Sequence, residues 1–225
     1  MALDGSYDGL KASIADFLNR SDLASVIPDF IKLAEAQMTR RLAGRTQQGL
    51  PVPRRLVKRA DAEIEAGTEF VAVPTDFHGP LELVLQEEPP IILDYLDAAN
   101  LDQEKQAARV SGAPRWYALV GNELQLFPAA DRDYTCELRY VARVASLGAA
   151  NPTNWILADY PDAYLYGALV QSAPYLKDDS RATTWGVLFT AALDDICNAD
   201  PVPAEMSRLR TGLPQNESWN WEGGN

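Results

Sequence analysis

The chain has 225 residues, 47% of them hydrophobic, and a formal net charge of −12 at pH 7. This length allows one large domain or two small ones, and no apolar run approaches the roughly 20 residues that a membrane-spanning helix needs. The N-terminal sequence lacks the basic start and apolar core of a secretory signal, so we expect synthesis in a cytosol. We expect the two distant cysteines, Cys136 and Cys197, to be reduced and buried.

The first third of the chain has the periodicity of two amphipathic helices. Apolar residues between Leu10 and Leu18 recur at intervals of three and four and predict the first helix. The same spacing between Ile27 and Met38 predicts a second helix, and Gly44 is a natural residue for its end.

The middle of the chain changes to the alternation of strands. Glu65-Ala66-Gly67 predicts a hairpin turn between residues 54–64 and 68–73, and Gly121-Asn122 predicts another between 116–120 and 123–127. Residues 94–109 have a weak helical pattern. His78 lies in turn sequence, which favours an exposed loop histidine. Additional strands are predicted at residues 81–85, 91–93 and 134–141.

The last third returns to helical sequence and then to an unstructured composition. Asn154 or Thr153 is a candidate N-cap, Pro161 begins a helix that runs to Ala173 and breaks at Pro174, and another helix covers about 180–198. The order of elements predicts an α+β fold: a helical bundle from the N- and C-terminal helices, an inserted antiparallel β-rich lobe and a flexible C-terminal tail. The expected units are residues 1–50, 51–150, 151–199 and 200–225.

The C-terminal tail, residues 200–225, is rich in proline and glycine and cannot build a core of its own. It nevertheless carries Trp219 and Trp221, whose large apolar surfaces are costly to leave in water. We therefore expect the tail to dock onto another surface.

Basic residues are concentrated between Lys32 and Arg59, where eight lysines and arginines accompany a single acid, Glu35. A basic strip on an acidic chain can contact other copies electrostatically, or it can contact nucleic-acid phosphates. The strip has no interleaved aromatic residues for stacking on bases. A solvated face or a face that contacts other subunits is therefore the favoured interpretation for Arg40, Arg41, Arg54, Arg55, Lys58 and Arg59.

The sequence offers little catalytic chemistry. His78 is the only histidine and no serine-nucleophile motif accompanies it, while one histidine and two distant cysteines do not suit a zinc site. Neither a Walker motif nor a GxGxxG motif is present. The adjacent acids Glu87-Glu88, Asp178-Asp179 and Asp194-Asp195 are explained by solvated faces and helix starts. We predict no enzyme activity, no catalytic residue, no cofactor and no metal.

Several segments together resemble one protein family: the head-to-tail adaptor, or connector, proteins of tailed bacteriophages, especially short-tailed ones. The resemblance depends on the order and spacing of the segments and is strongest over 151–155 and 160–169. The segments are residues 7–20, 27–36, 73–77, 112–117, 124–128, 151–155, 160–169 and 173–179.

This resemblance implies a virion protein at the head–tail interface, made in the host bacterial cytoplasm. Such adaptors form a ring, typically dodecameric, beneath the portal protein, extend the DNA channel and hold the tail nozzle or tail-tube protein. Genomic DNA would pass through without specific binding, and Leu213, Trp219 and Trp221 would dock the tail on the portal. Two alternatives are a virion-associated cell-wall hydrolase that uses a carboxylate pair and a nucleic-acid-binding module that uses residues 40–59.

Overall fold

The computed structural model describes residues 3–107, 111–177 and 180–202, and the fold is mixed α+β. The α-helices of this part of the chain are α1 Tyr7–Leu18, α2 Ile27–Leu42, α3 Ala98–Ala107, α4 Trp155–Asp159, α5 Pro161–Leu176 and α6 Ala182–Ala199, and two short 3-10 helices cover Ala43–Gln48 and Arg54–Leu56. The strands are β1 Val52–Pro53, β2 Val57–Ile64, β3 Phe70–Ala72, β4 Phe77–Leu85, β5 Ile91–Tyr95, β6 Trp116–Val120, β7 Glu123–Phe127, β8 Tyr134–Ala142 and β9 Pro201–Val202.

Both predicted N-terminal helices are confirmed. At the start of α1, the Ser6 hydroxyl accepts a hydrogen bond from the Gly9 backbone N–H at 3.0 Å, and α1 ends where Asn19 adopts a left-handed conformation (φ 52°). The apolar positions of both helices are buried at the predicted spacing, so their shared stripe faces the core.

Helix α5 lies at the centre of the helical core. A Cβ atom built on Gly167 of α5 lies 3.1 Å from the Ala34 Cβ of α2 and 2.9 Å from the Phe189 ring of α6. The three helices therefore converge at a position where only glycine fits. Val52 and Val141 of the strand region join the same core, which connects the helices to one end of the sheet.

The predicted break at Pro174 is wrong, because α5 continues through Pro174 to Leu176. A proline removes one backbone hydrogen bond, and here that loss falls in the last turn of the helix. The ring of Tyr175 packs edge-on against Phe30 of α2, with ring centroids 5.7 Å apart, and holds this turn against the core. Lys177, in a left-handed conformation (φ 68°), ends the helix.

The predicted hairpin through Glu65-Ala66-Gly67 is also wrong. Strand β2 pairs along its whole length with β8, and β3 pairs with β7, so the seven-stranded sheet has the order β2-β8-β4-β5-β6-β7-β3. The Gly67 N–H donates to the Ala130 carbonyl at 2.7 Å, which directs the chain across the sheet instead of back along β2. Strand β8 also offers β2 a longer partner than β3 does.

The sheet is not wholly antiparallel, because β5 and β6 pair in parallel through Asp94 and Trp116. This pairing takes Asp94 and Tyr95 into β5, so the predicted helix at 94–109 begins only at Ala98, after Asp97 accepts a hydrogen bond from the Asn100 N–H. The hairpin between β6 and β7 is confirmed.

The two cysteines lie in separate cores, buried and unbridged as expected. Cys136 belongs to the core of the sheet and Cys197 to the helical core, and burial raises the pKa of both thiols. Within the described residues, no helix has the length and apolar character needed to cross a bilayer.

The first residues of the predicted tail return to the start of the strand region. Strand β9 pairs antiparallel with β1, with Val52 opposite Val202. Residues 203–225, and with them Leu213, Trp219 and Trp221, lie outside the described residues, as do Asp178 and Asp179.

Candidate functional site

A buried polar network connects α2 with α4 and α5. Glu35 of α2 is only 4% exposed, and its Oε1 atom accepts hydrogen bonds from the Leu147 N–H at 2.7 Å and from the Tyr164 hydroxyl at 3.2 Å. The Asn154 side chain donates to the Tyr164 oxygen at 2.6 Å and accepts from the Leu157 N–H at 2.9 Å. Asn154 is therefore the N-cap of α4, one of the two predicted candidates.

Burial shifts the pKa of both ionisable groups in this network, Glu35 and Tyr164. Burial raises the pKa of Glu35 above its ordinary value, although the hydrogen bonds from Leu147 and Tyr164 oppose that shift. Burial and the nearby Glu35 carboxyl also raise the pKa of the Tyr164 hydroxyl. The hydrogen bonds of the network join α2, α4, α5 and the segment at Leu147, so we assign it a structural role.

The sequence analysis missed this network, although a signal was available. Glu35 lies on the same helical stripe as Ile31, Met38 and Leu42, all of which are buried. A single acid in an apolar stripe indicates a buried carboxyl with dedicated hydrogen-bond donors. Those donors come from residues more than 100 positions away, and the sequence does not identify them.

His78 occupies strand β4 and not an exposed loop, which corrects its predicted placement. The pairing of β4 with β8 is irregular between Phe77 and Gly79, so His78 lies at a β-bulge. Its half-buried side chain lines a shallow cleft of about 390 Å³ between α2, β4 and the segment after β8. The cleft is lined by Lys32, Glu35, Ala36, Thr39, His78, Arg143, Val144 and Ser146.

The imidazole of His78 is in an environment that favours its neutral form. Burial lowers its pKa, and the nearby Arg143 guanidinium lowers it further. The Nε2 atom is inaccessible to solvent and has no hydrogen-bond partner in the described part of the chain. The fold therefore holds this side chain largely as a packing group.

Four residues of the basic strip form ion pairs within the subunit. Their side chains remain more than half exposed, so the same groups are accessible to solvent while paired. The pairs are Arg54 with Asp200 at 2.9 Å, Arg55 with Asp159, Lys58 with Asp76 at 2.6 Å and Arg59 with Glu137 at 3.4 Å.

Arg40 and Arg41 differ from the other predicted contact residues. Both are exposed in the last turn of α2, where a positive charge suits the helix dipole. Neither forms an ion pair with any described residue. Among the described residues, the predicted strip thus divides into a segment that forms ion pairs, residues 54–59, and the end of α2, where Arg40 and Arg41 form none.

Among the acids, two predicted carboxylate pairs are described and they have different surroundings. Glu87 forms an ion pair with Arg132 at 2.8 Å. Asp194 and Asp195 are exposed on α6 and form no ion pair with a described residue. Among the described residues, there is no group of three or more His, Cys, Asp or Glu side chains that could hold a metal ion.

The described residues form a mixed α+β fold with exposed basic residues at the end of α2 and exposed acidic residues on α6. A family model described as SU10 adaptor protein matches residues 6–212. The chain therefore belongs to the SU10 adaptor protein family, a family of bacteriophage head-to-tail adaptors, and the resemblance found in the sequence is confirmed. No curated protein sequence matches the chain.

Family membership establishes the general class of the protein. The family consists of structural adaptors of phages, and it implies a location in the virion. The match includes every described helix and strand as well as the first part of the tail, up to residue 212.

Proposed function

We propose that this protein forms a ring beneath the portal protein, extends the DNA channel of the phage head and provides the platform for the tail nozzle or tail-tube protein. The observation that carries the proposal is the family match over residues 6–212. By analogy with the adaptors that the sequence resembles, the ring is dodecameric and lies at the head–tail interface, after synthesis in the host cytoplasm.

The charge of the chain supports a passive role toward DNA. A net charge of −12 repels phosphate overall, and an acidic wall lets DNA slide where regular phosphate contacts would retain it. The paired state of Arg54, Arg55, Lys58 and Arg59 also reduces the positive charge available to DNA.

Two sets of residues are proposed to make the assembly contacts. The first set is the basic strip, toward a neighbouring subunit or the portal: Arg40, Arg41, Arg54, Arg55, Lys58 and Arg59. The second set is the tail, which we propose docks on the portal through Leu213, Trp219 and Trp221.

Electron microscopy of the purified chain mixed with the portal protein of the same phage tests the proposal. We expect portal particles that gain an additional ring of density on the tail-facing side. Portal particles that remain unchanged at saturating chain concentrations contradict the proposal.

Two assays on the same preparation test the alternatives. Clearing of a peptidoglycan suspension favours a cell-wall hydrolase, whereas duplex DNA affinity that falls steeply with salt favours a nucleic-acid-binding module. We expect neither activity from the wild-type chain.

A further inference from the structure

Helices α2 and α6 present outer faces with the same residue spacing and opposite charge. On α2, the exposed Leu33 is followed seven and eight residues later by Arg40 and Arg41. On α6, the exposed Val187 is followed seven and eight residues later by Asp194 and Asp195. A separation of seven residues is about 10 Å along a helix and brings the side chains back to the same face.

Each face combines an exposed apolar residue with charges that form no ion pair with a described residue of the same copy. Leu33 is 52% exposed and Val187 is 65% exposed. Leu188, at 38%, extends the apolar part of the α6 face.

We infer that the α2 face of one copy packs in parallel against the α6 face of the next copy in the ring. This inference rests on the proposed ring function and assigns one helix–helix contact within it. In this alignment Leu33 lies against Val187, while Arg40 and Arg41 lie against Asp194 and Asp195. Nearer the helix starts, the same alignment also places Asp29 opposite Thr183, so that an exposed carboxylate faces an exposed hydroxyl.

The direction of the helices follows from the position of the charges. In an antiparallel alignment with Leu33 against Val187, the two arginines lie beyond the start of α6 at Ala182, and Asp194 and Asp195 lie opposite the uncharged Val26 and Ser25. Only the parallel alignment satisfies the apolar pair and both charged pairs together. Because the two faces are different surfaces of the subunit, the contact is heterologous and repeats from copy to copy, as a closed ring requires.

Charge reversal on assembled rings tests the inference. We expect Arg40→Asp with Arg41→Asp to abolish ring formation on the portal, Asp194→Arg with Asp195→Arg to do the same, and the four changes combined to restore it. Asp102→Arg with Glu104→Arg, on the exposed side of α3, gives the same change in net charge as the aspartate reversal and should leave the rings intact. Melting temperatures of all variants check that each chain is folded.

Cysteine cross-linking tests the register independently. Leu33→Cys with Val187→Cys should give a ladder of disulfide-linked oligomers in the assembled ring, and each single variant should give none, because Cys136 and Cys197 are buried. The inference is overturned if rings form normally in every reversed variant. It is also overturned if the combined variant does not restore them. Either result leaves the proposed function in place. A wild-type chain that forms no ring on the portal overturns both.

Discussion

The Tyr164 hydroxyl of α5 donates a hydrogen bond to the buried Glu35 carboxylate of α2, 129 residues earlier in the chain. The same hydroxyl accepts a hydrogen bond from Asn154, the N-cap of α4. One side chain thus links three elements of the helical core.

Tyr164→Phe should lower the free energy of unfolding by about 1–3 kcal/mol, because it leaves the Glu35 oxygen with one donor fewer in a buried position. Tyr166→Phe is the matched control, since Tyr166 is half-buried and its hydroxyl has no hydrogen-bond partner among the described residues. The control should change stability by less than about 0.5 kcal/mol. Chemical denaturation of both variants measures the difference, and equal losses would show that the network contributes little.

Gly167→Ala should destabilise the chain by about 1–3 kcal/mol, because the new methyl group meets both Ala34 and Phe189 at a distance that forces a shift. Gly186→Ala, within α6, is the matched control, because a Cβ there meets nothing within 4 Å. That variant should gain up to about 1 kcal/mol from helix propensity. Thermal melts that rank the two variants in the opposite order would contradict the packing at Gly167.

His78 should titrate below the ordinary histidine value of about 6.5, because burial and Arg143 disfavour its charged form. As the only histidine, it gives a single imidazole signal in a proton NMR titration. As the pH falls below about 6.5, the unfolded chain gains this proton before the folded chain does, so stability decreases toward acid pH.

The His78→Gln variant lacks this contribution and should lose less stability than the wild type between pH 7.5 and pH 5. His78→Ala should form rings and support infectivity almost as the wild type does, since no proton transfer is assigned to this residue. Loss of function in a folded His78→Ala variant would instead indicate a chemical role.

Reversal of Arg54, Arg55, Lys58 and Arg59 to Glu should weaken assembly, and wild-type assembly should itself be sensitive to salt. These residues also pair within the subunit, so the reversal acts on the fold as well as on the surface. A second variant that also changes the four partners to Lys restores the internal pairs while the surface stays altered. The partners are Asp76, Glu137, Asp159 and Asp200.

Continued failure of the second variant to assemble supports direct contact by the strip. Recovery of assembly by the second variant assigns the strip to internal stability only. Unchanged assembly of the first variant, with loss of DNA binding, would favour the nucleic-acid alternative.

Truncation after Val202 should preserve the melting temperature and abolish binding to the portal. The truncation keeps strand β9, which pairs with β1, and also keeps Asp200, which pairs with Arg54. Trp219→Ala with Trp221→Ala in the full chain should reproduce the loss through removal of the proposed anchors. Portal affinity of the truncated chain equal to that of the full chain would refute the docking role of the tail.

Local patterns predicted most of the elements but not all of their partners. Helices α1, α2 and α6 and the β6–β7 hairpin follow from periodicity and turn residues, which act over a few positions. The pairing of β2 with β8 depends on residues 70 to 84 positions apart, such as Ile64 with Tyr134 and Val57 with Val141, so the nearby turn at Gly67 was misleading. Likewise, Pro174 indicated a break, but tertiary contacts of Tyr175 sustain the last turn.

The candidate site was predictable to a smaller extent. The basic residues of the strip are evident in the sequence, whereas their division into paired and unpaired groups depends on acids from distant segments, such as Asp159 and Asp200. The placement of His78 was wrong because a β-bulge in β4 looks like turn sequence when it is read locally.

The separation of the two thiols provides the chain with an internal reporter in each half. Cys136 is enclosed by the sheet and Cys197 by the helices, and each reacts with a thiol reagent only when its own surroundings open. Labelling rates at the two positions therefore distinguish a subunit that opens as one unit from a subunit whose halves open in sequence.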